Sequence, residues 1–357
     1  MKRVYSGIGG QAVLEGIMMM NKDKYAIAVR KANKEIAVDV QACETPGNKH
    51  SVSEWPFVRG IFAFIRSLSL GLKTITASAD MLGEEAEEEP SKFEKWLYEK
   101  FGDKTEKIIM DAAVVIALIL AVGLFMLLPM FISNLLKNVI KNYYVMALIE
   151  GLIRIGIFIG YIKLISGMED IKRTFMYHGA EHKCINCVEL GKELNVENVM
   201  ASSKEHKRCG TSFIIIVMII SILFFMVIRI DNLALRAISR ILLIPVIAGV
   251  SYEFLRIAGR SESPIINILS RPGMWMQGLT TKEPTSDMCE VAIAATSKVF
   301  DWRAFLTENF PELYPDGIPE EMTEEVPEEA SAAETAETME ETTETAEAEK
   351  KRNEQLL

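Results

Sequence analysis

Four long apolar runs dominate the pattern of hydrophobic and polar residues along the chain. They occupy residues 112–133, 144–166, 213–230 and 241–255. A membrane-spanning helix needs about 20 predominantly apolar residues, and each run has that length or approaches it. The pattern therefore predicts about four transmembrane helices, arranged as two hairpins.

The residues before the first run alternate as β-strands do. The segment "YAIAVRKANKEIAVDVQ" places apolar runs on either side of the polar stretch "KANKE", and "GGQAVLEGIMMM" is typical of a turn that leads into an apolar strand. Alternation about a polar turn is the pattern of a β-hairpin. We therefore expect a β-rich subdomain in residues 1–50.

The segment 51–79 is apolar on most of one helical face and basic on parts of the other. This composition is typical of a helix that lies at a membrane surface, and a core helix of the soluble part has it as well. An acidic linker follows at 83–90. The capping-box sequence "SKFE" at 91–94 then predicts the start of a helix that leads to the first span.

After the fourth run, "RPGMW" predicts a Pro-Gly turn and "DMCE" predicts the start of a helix. Together these elements predict an α+β polytopic membrane protein. Its expected segments are a β-rich subdomain (1–50), juxtamembrane helices (51–110), a transmembrane hairpin (111–166), a loop (167–212), a second transmembrane hairpin (213–256), a C-terminal segment (257–310) and a tail (311–357).

Composition supports a membrane protein, because 49% of the 357 residues are hydrophobic, which is too apolar for an ordinary soluble enzyme. The first residues contain no apolar stretch of signal-peptide length, so no cleavable export signal is expected. Five cysteines, an odd number, do not predict a secreted disulfide framework and fit a reduced compartment. The expected partner is the lipid bilayer, and no nucleic-acid partner is expected.

The last segment carries most of the negative charge. Residues 311–350 contain 15 acidic residues and one lysine, and large apolar residues are almost absent from about residue 319 onward. Such a segment cannot offset its ordering entropy by burial, which predicts a disordered acidic tail. Its role is either solubility or the binding of a protein partner.

Basic residues beside the spans predict the orientation. They concentrate before the first run, between the second and third runs, and after the fourth. Because basic residues favour the cytoplasmic side, both termini and the 167–212 segment are expected in the cytoplasm of a multi-pass protein of the cell membrane.

The string "HGAEH" gives the segment between the second and third runs its candidate chemistry. His178 and His182 are four residues apart, so on a helix they share one face and their imidazoles converge on one ion. With Glu181 between them, the string matches the H-x-x-E-H pattern of zinc proteases, in which the glutamate activates a water molecule.

The scarcity of histidine strengthens this interpretation. The chain has only four histidines, and three of them, with His206 as the third, lie within this segment. Cys209 follows His206 by three residues, a spacing that allows both side chains to bind one ion. Imidazole and thiolate together favour zinc as the divalent metal. The alternative is that these side chains are ordinary polar or packing residues.

Other polar residues are weaker candidates. Glu253, near the end of the fourth run, is an additional carboxylate within plausible reach of the metal, and Glu15 is an acid among apolar residues that either belongs to a site or faces water at a strand edge. Glu150 and Arg154 lie four apart inside the second run, where they form either a structural ion pair or part of a transport path. The C-x-x-C string "CINC" at 184–187 suggests redox or metal chemistry.

Six motifs carry a resemblance to a known family. They are "GGQAVLEGIMM", "PFVRGIFAFIRSLSLG", "YHGAEHKCIN", "ENVMASSKEHKRCGTSF", "YEFLRIAGR" and "RPGMWMQGLTTKEPTSDMCEVAIAA". Over residues 5–300, the chain resembles the YqhQ-like family of bacterial membrane proteins, a domain of unknown function described as a predicted metal-dependent enzyme.

The resemblance implies that a set of residues belongs to the characteristic pattern of the family. It comprises His178, Glu181, His182, His206 and Cys209 together with Gly9, Gly10, Glu15 and Gly16. The pattern does not require cysteine at 184 and 187, which argues against a role for "CINC", and it leaves out the tail. It also implies a bacterial inner membrane.

Two functions fit these observations. The first is a metal-dependent membrane hydrolase in which His178 and His182, with His206 or Cys209, bind the metal and Glu181 is the general base. Peptides, lipid head groups and isoprenoid phosphates all stay open as substrates. The second is a non-enzymatic scaffold or small transporter with a structural metal site, because four protein ligands would close the shell and catalysis needs an open position.

Overall fold

A computed structural model describes residues 3–43, 55–83, 100, 102, 105–206, 209–258 and 263–318 of the chain. The acidic linker from residue 84 onward, the capping-box sequence at 91–94 and the tail beyond residue 318 lie outside the described residues.

A four-stranded antiparallel sheet forms the N-terminal part, with strand order β1-β2-β3-β4. The strands are β1 (Gly9–Val13), β2 (Gly16–Asn21), β3 (Lys24–Arg30) and β4 (Ile36–Ala42). The predicted hairpin about "KANKE" is confirmed, with Arg30 opposite Ile36. The middle residues of the two central strands are apolar because both faces of the sheet are covered.

The rest of the described chain is helical. The helices are α1 (Val58–Leu82), α2 (Thr105–Val122), α3 (Leu128–Leu135), α4 (Tyr143–Ile165), α5 (Glu169–Glu189), α6 (Val196–Met200), α7 (Gly210–Val227), α8 (Leu233–Ala258), α9 (Pro264–Thr280), α10 (Ser286–Val299) and α11 (Trp302–Asn309). A π-helical stretch, Gly123–Leu127, joins α2 to α3.

Within the described residues, five helical segments are long and apolar enough to cross a membrane. They are α1, the segment Ile108–Leu135 through α2 and α3, α4, α7 and α8. The protein is therefore an α+β membrane protein. The fourth predicted run, 241–255, is only part of α8, because Arg236 and Arg240 lie in its first turns and lower its hydropathy.

Helix α1 packs on two different parts of the structure. Near its start, Gly60 lies against Tyr252 of α8. In its second half, Thr74 Oγ1 accepts a hydrogen bond of 2.5 Å from Gln11, and Ser78 Oγ accepts one of 3.2 Å from the main chain of Leu14. The 12 residues 58–69 that precede the sheet contacts span about 18 Å, well short of the hydrocarbon thickness of about 30 Å.

The sheet, α5, α6, α10 and α11 share one core and form what we call the soluble part. Helix α5 is its central element. It packs beside α10 on one face of the sheet, and nearly every residue from Tyr177 to Glu189 is buried. The segment predicted as a loop is therefore largely helical. The helix ends where Gly191 adopts a φ of 75° and the amide of Lys192 donates to the carbonyl of Cys187, the hydrogen bond of a Schellman motif.

The predicted Pro-Gly turn at "RPGMW" is wrong, because α9 continues through Pro272 and Gly273. A Cβ on Gly273 would lie 2.8 Å from the Cβ of Ser212 in α7. The glycine therefore serves the close approach of two helices, a role that the local sequence does not distinguish from a turn.

Candidate metal centre

Helix α5 presents the H-x-x-E-H string on one face. Glu169 and Asp170 lie in its first turn, where acidic side chains interact favourably with the helix dipole. His178 and His182 are one turn apart, and their ring centroids are 4.4 Å apart. The helix therefore brings both imidazoles to the same side, as their spacing predicts.

Main-chain carbonyls orient both imidazoles. Nδ1 of His178 lies 3.0 Å from the carbonyl oxygen of Thr280, and Nδ1 of His182 lies 2.6 Å from that of Lys204. A carbonyl oxygen only accepts hydrogen bonds, so each Nδ1 donates and each neutral ring has its free lone pair at Nε2. This arrangement is common for histidines that bind metals.

An ion-pair group supports the segment that supplies the Lys204 carbonyl. The buried ammonium of Lys183 donates to the carbonyls of Met200 and Ser202 and lies 2.6 Å from Glu283. Glu283 also pairs with the side chain of Lys204 at 3.4 Å. The hydrogen bond from Lys183 lowers the pKa of Glu283, so the carboxylate stays ionised at neutral pH.

Cys209 brings the third donor from the membrane bundle. It is the N-cap residue of α7, and its Sγ accepts a hydrogen bond of 3.4 Å from the amide of Thr211. The same sulfur lies 3.2 Å from Nε2 of His178. A helix N-terminus favours an anionic group, and thiolate is the form of cysteine that binds metals.

The three donors form a compact group that could hold a metal ion. The ligand atoms of His178, His182 and Cys209 all lie within 4.8 Å of one another, in a largely buried environment. Bonds of about 2.0–2.3 Å in a tetrahedral zinc site place ligand atoms roughly 3.3–3.8 Å apart. Small side-chain movements are therefore enough to fit zinc, and two nitrogens with one sulfur suit that metal.

Glu181 lies beside the same group. One of its carboxylate oxygens is 3.9 Å from Nε2 of His178 and 3.7 Å from Nε2 of His182. Burial raises the pKa of Glu181 to about 7, an effect that His178 opposes. Gly10 of β1 makes room for the carboxylate, since a Cβ there would lie 3.0 Å from Cγ of Glu181.

His206 lies near this group but faces another partner. Its ring centroid is 5.7 Å from that of His182, whereas its Nε2 is 3.5 Å from a carboxylate oxygen of the buried Glu189. Gln277 holds its main chain, accepting from the amide at 2.9 Å and donating to the carbonyl at 2.6 Å. The structure thus separates His206 from the three-donor group.

Two other candidate carboxylates have arginine partners. Glu15, in the turn between β1 and β2, forms a bidentate ion pair with Arg173 of α5, which links the turn to the helix of the metal group. Glu253 of α8 binds Arg59 of α1 through both oxygens, at 2.6 and 2.5 Å. Neither carboxylate belongs to the group of His178, His182 and Cys209.

Glu150 and Arg154 lie at the opposite end of the helical bundle. Glu150 is in the first half of α4, whereas α5 and the metal group follow the last turn of α4. The predicted pair is present at 3.4 Å, but the main partner of Glu150 is Arg240 of α8, which binds both of its oxygens. The sequence pattern did not single out Arg240.

Cys184 and Cys187 of the C-x-x-C string are packing residues. Both are free thiols in the core between α5 and its neighbours. Burial raises the pKa of Cys187 to about 12 and also raises that of Cys184. Because the thiolate is the reactive form, these cysteines are poorly suited to redox chemistry or metal binding.

Sequence reasoning missed several supporting residues. Thr280 and Lys204 act through main-chain carbonyls, which leave no signal in a side-chain pattern. Gly179 allows the 281–284 segment to approach α5, since a Cβ there would lie 2.1 Å from the carbonyl oxygen of Lys282. Glu189 could have been predicted from the sequence as a neighbour of the site, because it follows His182 by seven residues and so shares its helix face.

The fold and the site define the class of this protein as an α+β membrane protein with a buried imidazole–thiol–carboxylate group at one end of its helical bundle. Residues 55–302 match the family described as "Protein of unknown function (DUF1385)". The chain belongs to this family, as the sequence motifs predicted.

A relative supports the same assignment. The chain is 33% identical over 310 residues to "Uncharacterized protein YqhQ" of Bacillus subtilis (strain 168), an alignment that covers 86% of this chain and 96% of that protein. No solved structure matches the chain.

The contact at Gly179 yields a test of the imidazole orientation. Gly179→Ala is expected to push residues 281–284 away from α5 and to displace the Thr280 carbonyl from His178. Loss of such a supporting hydrogen bond weakens metal binding about 10- to 100-fold, which competition with a zinc chelator would measure on the purified protein.

The matched control is Gly278→Ala in α9, where nothing lies within 4 Å of an added Cβ. This variant is expected to bind zinc as the wild type does. Equal zinc affinity in both variants would show that the close approach at Gly179 does not support the site.

Proposed function

We propose that the protein is a metal-dependent membrane hydrolase whose ion is held by His178, His182 and Cys209. The observation that supports this function is the orientation of the donors. Both imidazoles donate Nδ1–H to main-chain carbonyls, so both Nε2 lone pairs are available beside the thiol of Cys209. A divalent ion such as zinc would supply Lewis acidity and lower the pKa of water that it binds.

The number of donors favours catalysis over a purely structural role. Catalytic zinc sites have three protein ligands and an open position, whereas structural sites have four protein ligands. His206, the fourth ligand that the sequence suggested, faces Glu189 instead. The gathered set of two nitrogens and one sulfur therefore supports the first of the two functions derived from the sequence.

Glu181 is placed to act as the general base. Its carboxylate lies within 4 Å of both Nε2 atoms, so it could accept a proton from a water molecule bound by the ion. The glycine at position 10 leaves this side chain its space. In a hydrolysis, Glu181 would accept a proton from the attacking water and deliver it to the leaving group.

The structural alternative is supported by the origin of the ligands. The two histidines lie on α5 of the soluble part and Cys209 begins α7 of the membrane bundle. One ion bound to all three would link the two parts, as the scaffold interpretation requires. The two functions make opposite predictions for Glu181, which a scaffold does not need.

We further propose four membrane crossings with the metal group in the cytoplasm. The sheet contacts α5 directly, through Gly10 and Glu181, so an even number of crossings separates them. In the part of the chain that the structure describes, three candidate spans lie between the two elements. One of these three candidates therefore does not cross the membrane. We assign this to helix α1, because its second half packs on the sheet.

The orientation follows from the basic residues of the connecting segments. The segment between α4 and α7 contains seven basic residues, whereas the two connections at the other end of the bundle contain three. The positive-inside rule therefore favours a cytoplasmic location for the metal group and for both termini.

Metal content distinguishes the three-donor set from a four-donor set. The purified wild-type protein is expected to contain about one zinc ion per chain by elemental analysis. Cys209→Ser is expected to lose most of this zinc, and His206→Gln is expected to retain it. Cys187→Ser is the matched thiol control, because its sulfur lies in the core. Zinc loss in His206→Gln with intact folding would contradict the three-donor set.

Replacing Glu181 separates catalysis from metal binding. Glu181→Gln is expected to keep the zinc but to lose at least about 100-fold in turnover, since general bases contribute factors of that size. Mass spectrometry would compare the conversion of lipid and peptide extracts by wild type, Glu181→Gln and the control Glu290→Gln, whose exposed carboxylate pairs with Arg30. Wild-type turnover in Glu181→Gln would refute its role as base.

The topology is tested with two introduced cysteines. Asn138→Cys replaces an exposed residue in the connection between α3 and α4, and Ser203→Cys replaces an exposed residue between His182 and Cys209. A membrane-impermeant maleimide should label the first in intact cells and the second only after permeabilisation. The reverse labelling pattern would place the metal group outside the cytoplasm.

A further inference from the structure

A second buried polar group lies at the end of the bundle opposite the metal centre. Glu150 and Arg154 of α4 and Arg240 of α8 are only 2%, 6% and 4% exposed. Arg240 binds both oxygens of Glu150. Arg154 donates to Ser221 at 2.7 Å and to the carbonyl of Phe125, in the π-helical stretch, at 2.9 Å. Ser133 of α3 donates to Glu150 at 3.1 Å, so the group is tied to five helical segments.

The charges of this group do not cancel. Two guanidinium groups face one carboxylate, which leaves a net positive charge about 10 Å from the ends of α4 and α8. The ring of Phe225 lies 5.1 Å from the guanidinium carbon of Arg154 and 4.6 Å from that of Arg240, and it offsets part of this charge. A net charge in the apolar layer remains costly unless an anion approaches it.

Further basic side chains lie near the helix ends at this side of the bundle. Arg236 precedes Arg240 by one turn and shares its helix face, about 4.5 Å from the start of α8. Its Nε is buried and has no hydrogen-bond partner among the described residues. Arg229 lies over the ring of Tyr143 at 5.5 Å.

The charge balance of this end is strongly positive. Residues 136–154 and 228–240 contain six basic side chains and two acidic ones, a net charge of plus four. Arginine binds phosphate with two parallel hydrogen bonds, and basic pockets between transmembrane helices bind the head groups of anionic lipids.

We propose that Arg236 binds the phosphate of an anionic phospholipid at this end of the bundle. Arg236 reaches head-group depth, whereas Arg240 is buried, donates both terminal nitrogens to Glu150 and contributes only its charge. Leu235, the neighbour of Arg236 in α8, is 58% exposed and offers an apolar surface to an acyl chain. We therefore expect a lipid and not free phosphate as the ligand.

Native mass spectrometry of the full-length protein tests the site. Delipidated protein is incubated with dioleoyl-phosphatidylglycerol or with zwitterionic dioleoyl-phosphatidylcholine. We expect bound phosphatidylglycerol to survive at activation energies that remove phosphatidylcholine, and Arg236→Gln to weaken its binding about fivefold. Excess inorganic phosphate should not displace it. Equal retention of the two lipids, unchanged binding in Arg236→Gln, or displacement by phosphate would overturn the proposal.

The matched control is Arg303→Gln in α11. Arg303 also has a buried Nε without a partner among the described residues, but it belongs to the soluble part. Its loss should leave lipid binding unchanged, and equal weakening in both variants would refute the site. A second measurement needs no variant: the thermal midpoint of the wild type should be higher in phosphatidylglycerol nanodiscs than in phosphatidylcholine nanodiscs, and equal midpoints would contradict the proposal.

Discussion

Two hydrogen bonds from imidazole nitrogens to the main chain determine which ring nitrogens of His178 and His182 face the candidate site. The carbonyls of Thr280 and Lys204 each hold an Nδ1–H, and this leaves the two Nε2 atoms facing Cys209 and Glu181. The carbonyls come from segments that are 76 positions apart in the chain. The donor set therefore depends on the packing of distant segments around α5, as much as on the histidines themselves.

The same segments join the soluble part to the membrane bundle. Gln277 binds the main chain of His206 on one side and the hydroxyl of Ser212 in α7 on the other. Cys209 both lies in the group of His178, His182 and Cys209 and is the N-cap residue of α7. A movement of the membrane bundle relative to the soluble part would therefore displace Cys209 relative to the two histidines.

The carboxylates of the two buried polar groups have different surroundings. Among the described residues, the ion-pair partners of Glu181 are the imidazoles of His178 and His182, and burial raises its pKa to about 7. Glu150 instead lies against two guanidinium groups and is part of a positive cluster. The first arrangement suits proton exchange, whereas the second suits the holding of charge in an apolar layer.

The sequence alone determined the features that depend on local periodicity and residue type. It located the β-hairpin, the apolar helices and the H-x-x-E-H string, because alternation, hydropathy and i, i+4 spacing are local. Only the tertiary structure decided that His206 faces Glu189, that Glu150 pairs with Arg240 and that Gly273 lies within a helix. These outcomes depend on which distant surfaces meet, and a buried polar group takes the partner that its packing brings within hydrogen-bond distance.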